Sequence, residues 1–289
     1  MVSVPFNHAT LETLPLCVEA AAGAFTLTDD ERRTFDRDGW IGPYPLLTPH
    51  GVTRLSELYD LHSDRLVSSF GTSEDRARRV LARRPWFKSL HALLPEYFDV
   101  VTHPALASRI TALIGPDVIC WGASVTVRTP GQAHRWHVDI EHVRWRGVTA
   151  FVGLSGMSPE ASLSVMSRSH RLTVQPQELR LTGDDAVLAA GREHDPDAQL
   201  VRVEMEEGDA FIFDGTLWHG SLNTSDRVRF ALVAQYSPAD AKVEIPLTWD
   251  PPFRWADCSP PCVLIAGRAP EGRNRIVGRP LPPPAMDTP

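Results

Sequence analysis

The chain has 289 residues, 43% of them hydrophobic and 22% charged, with a formal net charge of −7. These proportions suit one large domain or two small ones around a buried core. The acidic balance excludes a general nucleic-acid binder, which needs a concentrated basic surface. No apolar run reaches the roughly 18 residues of a membrane span. The opening "MVSVPFNHATLETL" lacks the basic and apolar regions of a secretory signal. Cys17, Cys120, Cys258 and Cys262 are scattered and lack zinc-site spacing, so reduced thiols and a cytoplasmic location are expected.

In chain order, residues 1–24 carry little pattern and read as a loose arm, and residues 25–115 read as a helical layer. "TDDERRTFDRDG" sets the cap residue Thr28 and two acids ahead of a helix that Gly39 closes. "WIGPYPLL" is short, apolar and proline-broken, like a strand running into a loop. Residues 51–68 and 73–84 space apolar side chains three and four apart, the helical period. "PALASRITALIG" is a further helix ending at Gly115. From residue 116 to 240 the texture changes to short β-rich runs separated by Gly, Pro, Asn and Asp turns, which predicts a sandwich or barrel. Inside it lies a polar insertion, 171–199, whose stretch "QPQELRLTGDDAVLAAGREHDPDAQ" has partly helical character. Residues 251–289 form a proline-rich tail with an extended end. One domain is expected.

The stretch "HRWHVDIEH", 134–142, concentrates three of the 11 histidines. A helix is disfavoured by the Pro130-Gly131 turn and by Trp136, Val138, Ile140 and Val143. In a strand, residues two apart share a face. His137, Asp139 and Glu141 then point one way, and His134, Trp136, Val138, Ile140 and His142 the other. His137 and Asp139 become neighbours about 7 Å apart at Cα, twice the strand rise.

Two histidines and a carboxylate on one side of a metal leave positions open, the pattern of non-haem Fe(II) oxygenases. "GDAFIFDGTLWHGSLNTSDRVRFAL" supplies a distal histidine, His219, 82 residues after His137. Arg229 follows ten residues later, and a hairpin through "NTSD" would return it toward His219. A buried guanidinium there suits a bidentate ion pair with the distal carboxylate of 2-oxoglutarate, to which Ser221 adds a hydroxyl. The plainer reading makes His137 and Asp139 an exposed polar face, His219 a turn residue and Arg229 a surface ion-pair partner. The four-part pattern on one β-rich background favours the metal site.

These residues resemble the phytanoyl-CoA dioxygenase family of Fe(II)/2-oxoglutarate oxygenases from about residue 25 to 236. "LTDDERRTFDRDGWIGPYPLL" is similar to that family's opening helix and strand, and "VRTPGQAHRWHVD" to its turn into W-H-x-D. "EEGDAFIFDGTLWHGSLNTSDRVRFALVAQY" is similar to its distal histidine, turn and arginine. The resemblance implies a mainly β, α+β fold: a double-stranded β-helix (jelly-roll, cupin-like) core under an N-terminal helical layer. It implies His137, Asp139 and His219 as iron ligands, Arg229 and Ser221 as 2-oxoglutarate anchors, Phe151 near the cosubstrate, and Fe(II), 2-oxoglutarate and O2 as cofactors. Two departures stand out. "SRSH" replaces the usual P-G-S-H, and the turn after His219 is one residue shorter, which makes Arg227 a rival to Arg229.

The expected reaction is hydroxylation of a small molecule, free or carrier-bound, in secondary metabolism. "CVLIAGRAPEGRNRI" resembles the tail of carrier-protein-dependent chlorinating enzymes, but those lack the metal carboxylate that Asp139 supplies. Desaturation, ring closure, epimerisation and halogenation start from the same hydrogen abstraction and stay open. So does a sandwich that only binds a small ligand. For the substrate, Arg135, Glu141 and Trp218 are candidates. Arg128, Arg144 and Arg146 can pair with an acid or simply be solvated, and Trp136 and Trp145 can line a pocket or pack a core.

Overall fold

The first helix, α1 (Asp29–Asp38), begins where the sequence caps it. The Thr28 hydroxyl accepts from the Glu31 amide at 3.2 Å, and the Glu31 carboxylate accepts from the Thr28 amide at 2.7 Å. Gly39 ends the helix in the left-handed region, at φ 88°. The computed structural model describes residues 14–19, 25–69, 89–140, 145–246 and 255–281. The helix expected at 73–84, together with Glu141, His142 and Arg144, lies outside the described residues.

Strand β1 (Trp40–Pro45) and helix α2 (Pro49–Ser69) follow, the latter containing the expected 51–68 segment. Two short helices that no periodicity marks, α3 (Leu90–Leu93) and α4 (Pro95–Val101), precede α5 (Pro104–Ile114), which stops at Gly115. Leu55, Leu90, Tyr97, Val101, Leu106 and Ile110 are buried against the small central residues Ala123, Ala150 and Ala234 of the main sheet. Each large apolar side chain so buried contributes about 1.5–3 kcal/mol, and the alanines let the helices approach closely.

The β elements are β2 (Val118–Arg128), β3 (Ala133–His137), β4 (Val148–Gly153), β5 (Leu163–Met166), β6 (Leu200–Arg202), β7 (Asp209–Asp214), β8 (His219–Leu222), β9 (Arg229–Pro238), β10 (Ile245–Pro246), β11 (Trp255–Ala256), β12 (Pro261–Ala266) and β13 (Arg275–Ile276). The main sheet runs β1-β7-β4-β9-β2-β12-β13, and a smaller sheet runs β3-β8-β5-β6. Neighbours are antiparallel except β12 and β13. The fold is a jelly-roll of the cupin-like kind, with Phe151, Leu163, Val165, Phe211 and Phe213 filling the space between the sheets.

The insertion carries helix α6 (Asp184–His194), which covers the outer face of the smaller sheet; Gly191 of α6 sits directly on Met166. Within the proline-rich tail β12 pairs with β2 and extends the main sheet, while residues 282–289 lie outside the described residues. All four cysteines are free. No described helix is long and apolar enough to cross a membrane.

Candidate metal centre

The turn after β2 carries the chain from the main sheet to β3 of the smaller one. Asn223, fully buried, ties this turn to the one after β8: its amide donates to the carbonyls of Arg128 (2.9 Å) and Arg227 (2.8 Å). In the β3–β8 ladder His134 faces Ser221 and His137 faces His219, so Arg135 and Trp136 together oppose the single residue Gly220. That is a β-bulge, and the extra residue reverses the alternation. His134 and His137 therefore turn to the same side, with ring centroids 4.3 Å apart. The strict alternation expected for 134–142 had put His134 on the opposite face; the bulge corrects that. Trp136 turns outward instead.

Strand β3 ends at His137, before Asp139, so the expected single strand through 142 is not formed as far as it is described. The backbone bends there because the amides of Asp139 and Ile140 both donate to the Gly215 carbonyl at 2.9 Å. This bend brings Asp139 Oδ1 to 3.7 Å from His137 Nε2 and 3.7 Å from His219 Nε2. The other carboxylate oxygen, Oδ2, accepts from the Thr149 hydroxyl at 2.6 Å.

Both imidazoles are oriented from behind. His137 Nδ1 meets the Arg135 carbonyl at 2.8 Å, and His219 Nδ1 meets the Leu217 carbonyl at 3.0 Å. A carbonyl only accepts, so the proton belongs on Nδ1 and the Nε2 lone pairs face the centre. Phe213 packs on the His219 ring at 4.7 Å. The donor atoms of His137, Asp139 and His219 all lie within 4.8 Å of one another. Bonds of about 2.1 Å place ligand atoms about 3–4 Å apart, so two neutral imidazoles and one carboxylate fit a divalent transition metal, and their one-sided arrangement leaves positions open.

Next to this centre is Arg229, only 1% exposed. Its Nη2 donates to Ser221 Oγ at 3.2 Å and its Nη1 to Thr126 Oγ1 at 3.3 Å, and its guanidinium lies 5.3 Å from the Phe151 ring centre. The expected hairpin does not form. β8 belongs to the smaller sheet and β9 to the main one, so the turn switches sheets and Arg229 meets Ser221 across the sandwich. Burial, and then the neighbouring Arg128, push the Arg229 guanidinium down to about 9. Among the described residues no carboxylate pairs with it, and its Nε is buried without a partner. A buried cation lacking a counter-ion is costly, which marks a seat for an anion. Arg227, by contrast, points outward to Glu207 at 3.1 Å.

Of the substrate candidates, Arg135 is exposed and touches the site only through its carbonyl. Trp218 does not line the centre. It is buried with Trp136 beneath the insertion, its indole donating to the Val174 carbonyl at 3.1 Å, because it directly precedes His219 and turns to the opposite side. Glu141 is outside the described residues. Thr126 and Thr149 also join the site. Nothing in a threonine on a β-rich run signals which carboxylate or guanidinium it will meet.

A jelly-roll holding two imidazoles, a carboxylate and a buried arginine defines the class of non-haem Fe(II)/2-oxoglutarate oxygenases. The chain belongs to the phytanoyl-CoA dioxygenase (PhyH) family, whose model matches residues 35–231. No curated protein sequence matches it. Among solved structures, CytC3 with Fe(II) and alpha-ketoglutarate superposes with a TM-score of 0.61 at 20% identity, covering 88% of this chain and 93% of that one. The apo non-haem monooxygenase ThoJ gives 0.60 at 18%, covering 88% and 89%. The carbocyclase SnoK from nogalamycin biosynthesis gives 0.54 at 19%, covering 75% and 86%. These likenesses are of fold.

Proposed function

We propose that this protein is an Fe(II)- and 2-oxoglutarate-dependent hydroxylase acting on an unactivated C–H bond of a small molecule, free or carrier-bound, in natural-product tailoring. The observation that carries the reading is the convergence of His137 Nε2 and His219 Nε2 on Asp139 Oδ1, beside a buried arginine with no acid partner among the described residues. In this reading His137, Asp139 and His219 hold the iron. When bound, iron and 2-oxoglutarate together supply O2 activation, with release of succinate and CO2 and transfer of an oxygen atom to the substrate.

The chain's part is placement. The Arg135 and Leu217 carbonyls hold both imidazoles by Nδ1 and aim their Nε2 atoms, and Thr149 keeps one carboxylate oxygen turned inward. Arg229 and Ser221 receive the distal carboxylate of 2-oxoglutarate, and Phe151 closes the apolar side of that seat. The inward aromatic wall of Phe151, Phe211 and Phe213 keeps water from the floor of the site. The likeness to SnoK, a protein of nogalamycin biosynthesis, supports the natural-product setting.

Anaerobic addition of Fe(II) and 2-oxoglutarate tests the reading: a visible charge-transfer band is expected from the wild type and none from Asp139→Ala. Succinate release across a substrate panel then finds the substrate, and a product heavier by one oxygen supports hydroxylation. A product lighter by two hydrogens would mean desaturation or ring closure. Folded, metal-loaded protein that gives no band with 2-oxoglutarate would sink the proposal.

A further inference from the structure

Arg128 ends β2 and is the direct ladder partner of Arg229 at the start of β9. Directly opposed residues of an antiparallel pair share a face, and like charges there repel. Two guanidinium groups thus stand side by side on the wall of the metal centre, and no ion pair involves either among the described residues. Arg128 commits one nitrogen to the chain, Nη1 donating to the Val127 carbonyl at 2.7 Å, while its Nε is buried without a partner. Its Nη2 makes no hydrogen bond among the described residues and is left to donate to a carboxylate.

The β3 bulge brings His134 to the same place. Its ladder partner is Ser221, the residue that binds Arg229. Arg128, Arg229, His137 and His219 are its neighbours, and an imidazole placed there can offer an N–H to an acid. Its side chain is exposed to solvent.

Depth separates two anion seats. Arg229 and Ser221 are 1% and 7% exposed and form the floor, whereas Arg128 is half-buried and His134 exposed. The distal carboxylate of 2-oxoglutarate brings one negative charge to the floor, its other end belonging to the metal. Among the described residues the second guanidinium is then still without a counter-charge, and it is the more exposed of the two.

We propose that Arg128 and His134 form a second carboxylate receptor, which binds the acid group of the substrate and makes this enzyme selective for carboxylic acids. This rests on reading Arg229 as the cosubstrate anchor. The test uses phenylacetate and hexanoate as probes against their neutral amides, with binding followed by saturation-transfer NMR on Zn(II)- and 2-oxoglutarate-loaded protein. Cosubstrate affinity is followed separately by the anaerobic Fe(II) band. The acids should bind in preference to the amides. Arg128→Gln should weaken the acids by roughly tenfold or more, with 2-oxoglutarate affinity held within about twofold, and Arg128→Lys should restore part of the loss. Equal binding of acid and amide overturns the proposal. So does an Arg128→Gln protein that loses affinity for 2-oxoglutarate instead, which would make Arg128 part of the cosubstrate anchor. A wild type that gives no Fe(II) band overturns the cosubstrate reading itself; a band without acid preference overturns only this assignment.

Discussion

Thr149 donates its hydroxyl to Asp139 Oδ2 at 2.6 Å, leaving Oδ1 as the oxygen that both His137 and His219 face. The carboxylate cannot rotate without breaking that bond, so one oxygen is assigned to the metal and the other to the protein. Thr149→Val keeps the shape of the buried strand β4 and removes only the donor. Metal affinity should fall by about 10–100-fold, as for other groups that orient a metal ligand. Competition for Co(II), read by its absorption, checks this; unchanged affinity would show that the bond does not hold the carboxylate in place.

Arg229 and Arg227 are two residues apart and face opposite environments, one buried against Ser221 and Thr126, the other exposed beside Glu207. Arg229→Met should therefore raise the dissociation constant for 2-oxoglutarate by roughly 10- to 100-fold, the worth of a charge-assisted hydrogen bond. Metal binding should persist. Arg227→Met should change cosubstrate affinity by less than about twofold, because an exposed ion pair contributes little. Titration of the anaerobic Fe(II) band compares the two, and a reversed order would assign the anchor to Arg227.

His91 links α3 to the outer strand β12, its Nε2 lying 2.9 Å from the Pro261 carbonyl. Burial pushes this fully enclosed imidazole down to about 4. The unfolded chain takes up a proton near the ordinary histidine value of about 6.5, while the folded chain stays neutral until about 4. More protons are bound to the unfolded state in that window, so stability falls as pH drops from about 6.5 to about 4. The loss amounts to no more than about 3 kcal/mol. His91→Gln keeps an N–H for Pro261 and cannot titrate. Denaturant midpoints across that range should decline less steeply for the variant, and identical slopes would remove His91 as the cause.

Gly156 holds a left-handed backbone at φ 75°, and a Cβ there would overlap the Val228 carbonyl just ahead of Arg229. Gly156→Ala combines backbone strain with a clash against main chain rather than against a flexible side chain. A loss of about 1–3 kcal/mol is expected, with weakened 2-oxoglutarate binding as Arg229 shifts. Thermal unfolding and the same band titration read both effects. Full stability in the variant would show that this loop has room to move.

Much of the architecture was legible because its causes are local. The Thr28–Glu31 box and Gly39 delimit α1 from within twelve residues, and the Gly115 stop bounds α5 in the same way. The β-rich texture after residue 116 announced a sandwich, though the short helices α3 and α4 and the strand β12 lacked any periodic mark. Trp218 was ambiguous for a different reason: a tryptophan beside a candidate ligand suits a pocket wall or a core, and only the covering insertion decides between them.

By its own order of residues the chain determined which groups were available, namely His137, Asp139, His219, Ser221 and a choice between two arginines, and where helices start and stop. Three matters belonged to the tertiary structure alone. The bulge opposite Gly220 turns His134 inward, the sheet switch between β8 and β9 points Arg229 rather than Arg227 at Ser221, and Thr126 and Thr149 become partners of charges far off in sequence. Caps and periodicities act within one segment, whereas strand register and side-chain facing depend on a partner strand about 80 residues away, so no local pattern can specify them.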